Sequence, residues 1–190
     1  MSDADASLML AFVAGREDAF VELYRRHRDR IVTFTSRMLG DQARAEEAAQ
    51  EVFLKLYRAR ATYQAKSRFS TFLYRIATNH CLNLRALADQ RLVDTSAEQD
   101  LLVSEDLDQH QGLAHKRLRL SLNRALGRLP ERQRAALLLV HYEGLSYREA
   151  AESIDVSEPA VKSLIHRARA ALMLELGSEL EAVKEREHAV

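Results

Sequence analysis

The sequence predicts an all-α chain: two small helical domains joined by an acidic linker, the second a helix-turn-helix. Three observations carry this. Apolar residues recur at helical spacing in both halves, as in Ala48, Ala49, Val52, Phe53 and Leu56, or Leu118, Leu122, Ala125, Leu126 and Leu129. No segment alternates as a strand does. Two prolines and six glycines among 190 residues leave helices few interruptions.

The charge pattern divides the chain. The formal net charge is zero, from 28 basic and 28 acidic side chains, but it is a cancellation. Residues 1–92 carry +4, residues 93–114 carry six acids and no Lys or Arg, residues 115–170 carry +5, and residues 171–190 carry −3. Two basic blocks, each able to meet nucleic acid, are thus hidden in a neutral total. The expected layout is a first domain over 1–92, a linker over 93–115, a second domain over 116–175 and a tail over 176–190. The linker acids (Asp94, Glu98, Asp100, Glu105, Asp106, Asp108) are expected to compete with DNA for the basic faces.

Several classes drop out early. No apolar run approaches the roughly 18–20 residues a bilayer span requires. The start, Met1-Ser2-Asp3-Ala4-Asp5, has no secretory pattern, so cytoplasmic residence is expected. Cys81 is the single cysteine, which excludes an internal disulfide and a multi-cysteine zinc site. No phosphate-binding glycine loop, nucleophile elbow or metal-ligand triad is present. Neither an enzyme nor a resident cofactor or metal is expected. His80 and Cys81 adjoin on one helix but offer at most two ligands.

In the first block, Asp41 to Tyr57 reads as an amphipathic helix. Glu46, Glu47, Gln50 and Glu51 lie outside its apolar stripe, an acidic ridge suited to a basic partner helix. The next helix starts at Thr71, with Ser70 as its cap. Leu73, Ile76, Ala77, His80 and Leu84 face its core; Arg75, Thr78, Asn79, Leu82 and Asn83 face away. A loop with Lys66, Ser67, Arg68 and Phe69 precedes it. Basic groups for phosphates, an aromatic for base faces and amides for base edges suit an unstacked strand. The candidates are Lys66, Ser67, Phe69, Arg75, Asn79 and Asn83; Phe72 and Tyr74 are assigned to packing.

In the second block, Pro130 opens a helix over 131–142, and Gly144 stops it. Ser146 and Glu149 form a capping box for a short helix from Tyr147 to about Ile154. After a three-residue turn, Ser157 caps a helix running to about Leu174. Its apolar face is Val161, Leu164, Ile165, Ala168 and Leu172. Ser163, His166, Arg167 and Ala170 point the other way, with Lys162 and Arg169 on a flank. That arrangement fits a recognition helix whose polar face enters a major groove.

These segments resemble the extracytoplasmic-function (ECF) sigma factors, bacterial subunits that give RNA polymerase its promoter choice. Glu143 to Glu152 with Val156 to Arg169, led in by Leu129-Pro130-Glu131-Arg132-Gln133-Arg134, is similar to region 4, which binds the −35 element. Tyr63 to Arg85, with Leu73-Tyr74-Arg75-Ile76-Ala77-Thr78-Asn79 at its centre, resembles the −10-binding regions. Asp41 to Tyr57 resembles the helix that binds the polymerase, and Ala19 to His27 the segment before it. The chain departs from the family pattern at Phe72 (usually Trp), Pro159-Ala160 (usually Gly-Thr), Leu164 (usually Arg) and Ala150 (usually Ile).

The resemblance implies that Glu46, Glu47, Gln50 and Glu51 bind the β′ clamp helices of core polymerase. It implies −10 contacts from the Lys66–Asn83 set, and −35 contacts from Lys162, Ser163, His166, Arg167 and Arg169. It further implies docking on the β flap and an anti-sigma factor as regulator. Two other readings compete: a helix-turn-helix regulator that does not replace the housekeeping sigma factor, and a pure interaction module such as an anti-sigma antagonist.

Overall fold

The computed structural model describes residues 3–93 and 113–187, in which every regular element is helical. The N-terminal half contains α1 (Ala4–Val13), α2 (Glu17–Leu39), α3 (Gln42–Arg58), a short 3-10 turn (Ala59–Thr62) and α4 (Phe69–Val93). The C-terminal half contains α5 (Leu113–Arg128), α6 (Glu131–His141), α7 (Tyr147–Ile154) and α8 (Glu158–Glu187). Residues 94–112, which hold most of the expected linker and all six of its acids, lie outside the described residues, and so does the idea that they mask the basic faces.

Local chemistry fixes the helix ends. Gly40 terminates α2 at φ 75°, a left-handed conformation that costs glycine little. Asp41 then caps α3, its carboxylate accepting from the Arg44 N–H at 3.2 Å. Helix α4 begins two residues earlier than expected, and Ser70 lies inside it. Asp3 accounts for the difference. One of its oxygens accepts from the Asp5 N–H at 3.2 Å and the other from the Phe69 N–H at 2.7 Å. A single carboxylate therefore satisfies free N–H groups at the starts of both α1 and α4.

The N-terminal core is built on Met9, Phe12, Leu23, Ile31, Phe34, Met38, Val52, Leu56 and Leu73, all without solvent exposure. In the C-terminal half, Leu138, Leu139, Ala150, Val161 and Ala168 fill the corresponding role. The two cores are continuous: α7 packs against α4, and α6 against both α2 and α4. The sequence predicts two helical units; the structure adds that they share an interface.

Candidate nucleic-acid and partner interfaces

The loop before α4 is pinned from beneath. Phe69 is fully buried, its ring centroid 5.2 Å from that of His27, and His27 Nε2 lies 2.9 Å from Asp5 Oδ2. This corrects one expectation: Phe69 presents no free ring to a base, because it anchors the loop to α1 and α2. Lys66 and Ser67 are exposed above it. Phe72 packs edge-on against Tyr63, with centroids 5.0 Å apart, and carries the Arg75 guanidinium over its ring at 5.4 Å.

Arg75, Asn79 and Asn83 are exposed and four residues apart, one per helical turn, so they form a single polar row. Thr78, expected to face outward, is fully buried. It belongs to the face of α4 turned toward the C-terminal half. On that face Thr71 reaches Glu149, Tyr74 reaches Glu143 and Arg85 reaches Glu131. Packing on two sides thus widens the buried stripe beyond what one domain's periodicity indicates. Cys81 is buried too, and that burial pushes its thiol up to about 12, well outside the reactive range.

The helix-turn-helix forms with its capping box. The Ser146 side chain accepts from the Glu149 N–H at 3.2 Å, and the Ser146 N–H donates back to Glu149 Oε2 at 2.8 Å. Asp155 closes α7 at φ 53°, a left-handed conformation that Asp tolerates better than most residues. Ser157 Oγ then accepts from the Ala160 N–H at 3.3 Å, opening α8. Val161, Ile165 and Ala168 are buried, whereas Lys162, Ser163, His166, Arg167 and Arg169 are exposed.

Two of the exposed cations already have partners. Lys162 Nζ lies 3.0 Å from Glu158, and Arg169 Nη2 is 2.9 Å from His141 Nε2. Burial, then the charge of Arg169, lowers the His141 pKa, which keeps its ring neutral and able to accept. Ser163, His166 and Arg167 form the outward front. His141 is a second-helix contributor that the sequence pattern does not reveal. Helix α8 also continues 13 residues beyond the expected end near Leu174, to Glu187.

On α3, Glu46, Glu47 and Gln50 are exposed and Glu51 is half-buried. Leu54, one turn further along the same face, is 47% exposed and does not belong to the expected contact set. An apolar side chain beside an acidic ridge is the usual make-up of a docking face, in which charge orients and apolar area holds. Lys55 Nζ lies 2.8 Å from His80 Nδ1 next to this ridge. Burial and the Lys55 charge lower the His80 pKa, so the ring accepts as a neutral imidazole.

A fourth surface joins the halves. Arg30 of α2 lies 3.2 Å from Glu143 of the α6–α7 turn, Arg68 lies 3.6 Å from Glu149 of α7, and Arg85 of α4 lies 3.1 Å from Glu131 of α6. The Tyr74 hydroxyl donates to the same Glu143 carboxylate. Burial, followed by the Glu143 charge, pushes the Tyr74 pKa well above the usual phenol range. Arg37 stacks over Tyr142 at 4.2 Å.

Three comparisons place this geometry among known proteins. A model of sigma-70 region 2 matches residues 23–91, and one of sigma-70 region 4 matches residues 119–172. The chain is 34% identical over 177 residues to the ECF RNA polymerase sigma factor SigM of Mycobacterium tuberculosis, covering 92% of this chain and 85% of that one. It is 36% identical over 149 residues to the ECF sigma factor SigE of Mycolicibacterium smegmatis, covering 78% of this chain but 58% of that longer one. Among solved structures, CnrH in complex with the cytosolic domain of CnrY aligns at TM-score 0.70 and 25% identity, covering 93% of this chain and 99% of that one. The sigma factor RpoE in complex with the anti-sigma factor NepR from Bartonella quintana aligns at TM-score 0.71 and 21% identity, covering 83% and 96%, and shares the fold.

Proposed function

The chain belongs to the extracytoplasmic-function sigma factors of the sigma-70 family, and from that membership we propose how its surfaces divide the work of promoter selection. The protein directs RNA polymerase to specific promoters. In the proposed division, Lys66, Ser67, Arg75, Asn79 and Asn83 hold the −10 element. Lys and Arg meet phosphates, and the asparagine amides, which both donate and accept, read the edges of unstacked bases. Ser163, His166 and Arg167 read base edges of the −35 element in the major groove, while Lys162 and Arg169 meet flanking phosphates.

The ridge of Glu46, Glu47, Gln50 and Glu51, extended by Leu54, binds the β′ clamp helices, and the C-terminal half docks on the β flap. The chain catalyses no reaction itself; binding energy within the polymerase complex opens the promoter. It works in the cytoplasm, and an anti-sigma factor regulates it, a partner of the kind that NepR is to RpoE in Bartonella quintana.

The observation that best supports this division is the pairing of two exposed polar rows, on α4 and on α8, each backed by a buried apolar face. A helix-turn-helix regulator would account for the second row and leave the first row and the acidic ridge unexplained. The test mixes the full chain with sigma-free core polymerase and a promoter library, then sequences the transcripts. Specific initiation with core alone supports the assignment. DNA binding without initiation would support the regulator reading instead.

A further inference from the structure

Gln64 to Arg68 are all exposed, and a buried aromatic stands at each end of them, Tyr63 before and Phe69 after. The stretch turns tightly at its centre, where the Lys66 N–H donates to the Gln64 carbonyl at 2.7 Å. Lys66 and Ser67 are therefore only as well placed as the two aromatics that flank them. Tyr63 is held edge-on by Phe72. Phe69 is held from α1, by two carboxylates acting on two different parts of the residue.

Asp3 acts on the backbone. Its Oδ2 accepts from the Phe69 N–H at 2.7 Å, at the start of α4, where no intrahelical carbonyl serves that donor. Asp5 acts on the ring. Its Oδ2 lies 2.9 Å from His27 Nε2, and the His27 ring lies against Phe69 with centroids 5.2 Å apart. An ionised carboxylate only accepts, so His27 Nε2 carries the hydrogen. Asp3 also faces the other end of the loop: burial, then the Asp3 charge, raises the Tyr63 pKa. Helix α1 is a firm base for both acids. Met9 and Phe12 are fully buried, and α1 packs on α2, on α4 and on the 3-10 turn that precedes the loop.

Capping α1 does not account for this arrangement. One oxygen suffices for a cap, and Asp3 Oδ1 provides it by accepting from the Asp5 N–H. The second oxygen reaches a residue 66 positions away in the chain. We propose that Asp3 and Asp5 are positioning residues for −10 reading: by fixing Phe69 they hold Lys66 and Ser67 where the unstacked strand meets them. Neither acid touches DNA. A loop ordered before binding loses less freedom when the strand arrives and keeps its donors in register with one base. The role rests on the −10 reading above.

The test uses the full chain with three substitutions. Asp3→Ser keeps a good cap for α1 but has one oxygen, so it cannot also serve Phe69. Asp5→Ala removes the acceptor for His27. Asp5→Asn keeps that acceptor and gives up only the charge facing Arg26, which is exposed and pairs with Glu22 as well. Amide hydrogen exchange of the free protein reads the tether itself: the Phe69 N–H should exchange about tenfold faster in Asp3→Ser, the cost of losing a charge-assisted bond. Transcripts from a promoter library with core polymerase read the consequence. Asp3→Ser and Asp5→Ala should each flatten base preference within the −10 motif by about three- to tenfold, and Asp5→Asn should restore it. The −35 preference, the affinity for core enzyme and the melting temperature should stay at the parent values, which a general loss of structure would not allow.

A double variant, Lys66→Ala with Ser67→Ala, separates the two readings. If it flattens the −10 preference while Asp3→Ser and Asp5→Ala do not, the positioning role is overturned and the loop's reading role stands. If it leaves the −10 preference unchanged, the loop reads no base, and the −10 reading fails along with the role built on it. Equal losses at −10, at −35 and in core binding would also overturn the proposal, because they mark the acids as supports of the whole fold.

Discussion

Arg134 Nη1 donates to the Met38 carbonyl at 2.6 Å, so a guanidinium of the C-terminal half caps the end of α2 in the N-terminal half. Its Nη2 serves the carbonyls of Leu129, at 3.0 Å, and Gly127. Arg85 donates to the Met38 carbonyl as well, at 3.2 Å. Burial lowers the Arg134 pKa to about 10, still high enough to stay charged at neutral pH. The cation is neutralised chiefly by backbone dipoles at a helix C-terminus, where positive charge is favoured.

Removing that side chain takes a donor from two buried carbonyls, Met38 and Leu129, and from the part-buried Gly127 carbonyl. Arg134→Ala should therefore destabilise the protein by about 3 kcal/mol, a drop in melting temperature of about 5–10 °C. Calorimetry checks this; a loss indistinguishable from that of a surface substitution would contradict it.

The acidic ridge on α3 should behave in the opposite way. Glu47→Lys combined with Leu54→Ala should weaken core-polymerase binding by about tenfold while shifting stability by less than about 1 kcal/mol, since neither side chain is buried. Fluorescence anisotropy with core enzyme measures the first quantity and thermal unfolding the second.

Tyr74 gives a pH dependence with a defined sign. Its folded-state pKa is raised by burial and by Glu143, so the protonated phenol is favoured in the native protein. The stability it contributes is fully present below the ordinary tyrosine pKa of about 10 and is lost as pH rises above it. An ultraviolet phenolate titration should find that Tyr74, one of six tyrosines, ionises only as the structure opens. Tyr74→Phe should remove that step.

Cys81 should be inert in the native state. Burial raises its thiol to about 12, leaving almost no thiolate at neutral pH. A thiol reagent should label it only after denaturant is added. Rapid labelling of the native protein would reopen a redox role.

Much of this was legible from periodicity and caps. The apolar stripe of Val161, Ile165 and Ala168 and the Ser146–Glu149 capping box are local patterns, and they form as the residue spacing predicts. What the sequence conceals is non-local. Phe69 reads as an exposed loop aromatic until Asp3, 66 residues away, takes its N–H. Thr78 reads as outward-facing on α4, and only the packing of α7 against that helix accounts for its burial. Glu131, Glu143 and Glu149 look like scattered acids in a basic block, and their common direction exists only once the two halves meet. Pairings between distant residues carry no periodic signal, so spacing arguments cannot find them.

The measurement that bears most directly on the account is initiation from a promoter library by core polymerase with the parent chain, Asn79→Ala or Arg167→Ala. The parent should yield transcripts sharing two upstream motifs, one at −10 and one at −35. Asn79→Ala should erase preference within the −10 motif alone, and Arg167→Ala within the −35 motif alone, each flattening a base preference by about 1–3 kcal/mol. Transcripts with both preferences unchanged in both variants would contradict the assignment of promoter reading to these two faces.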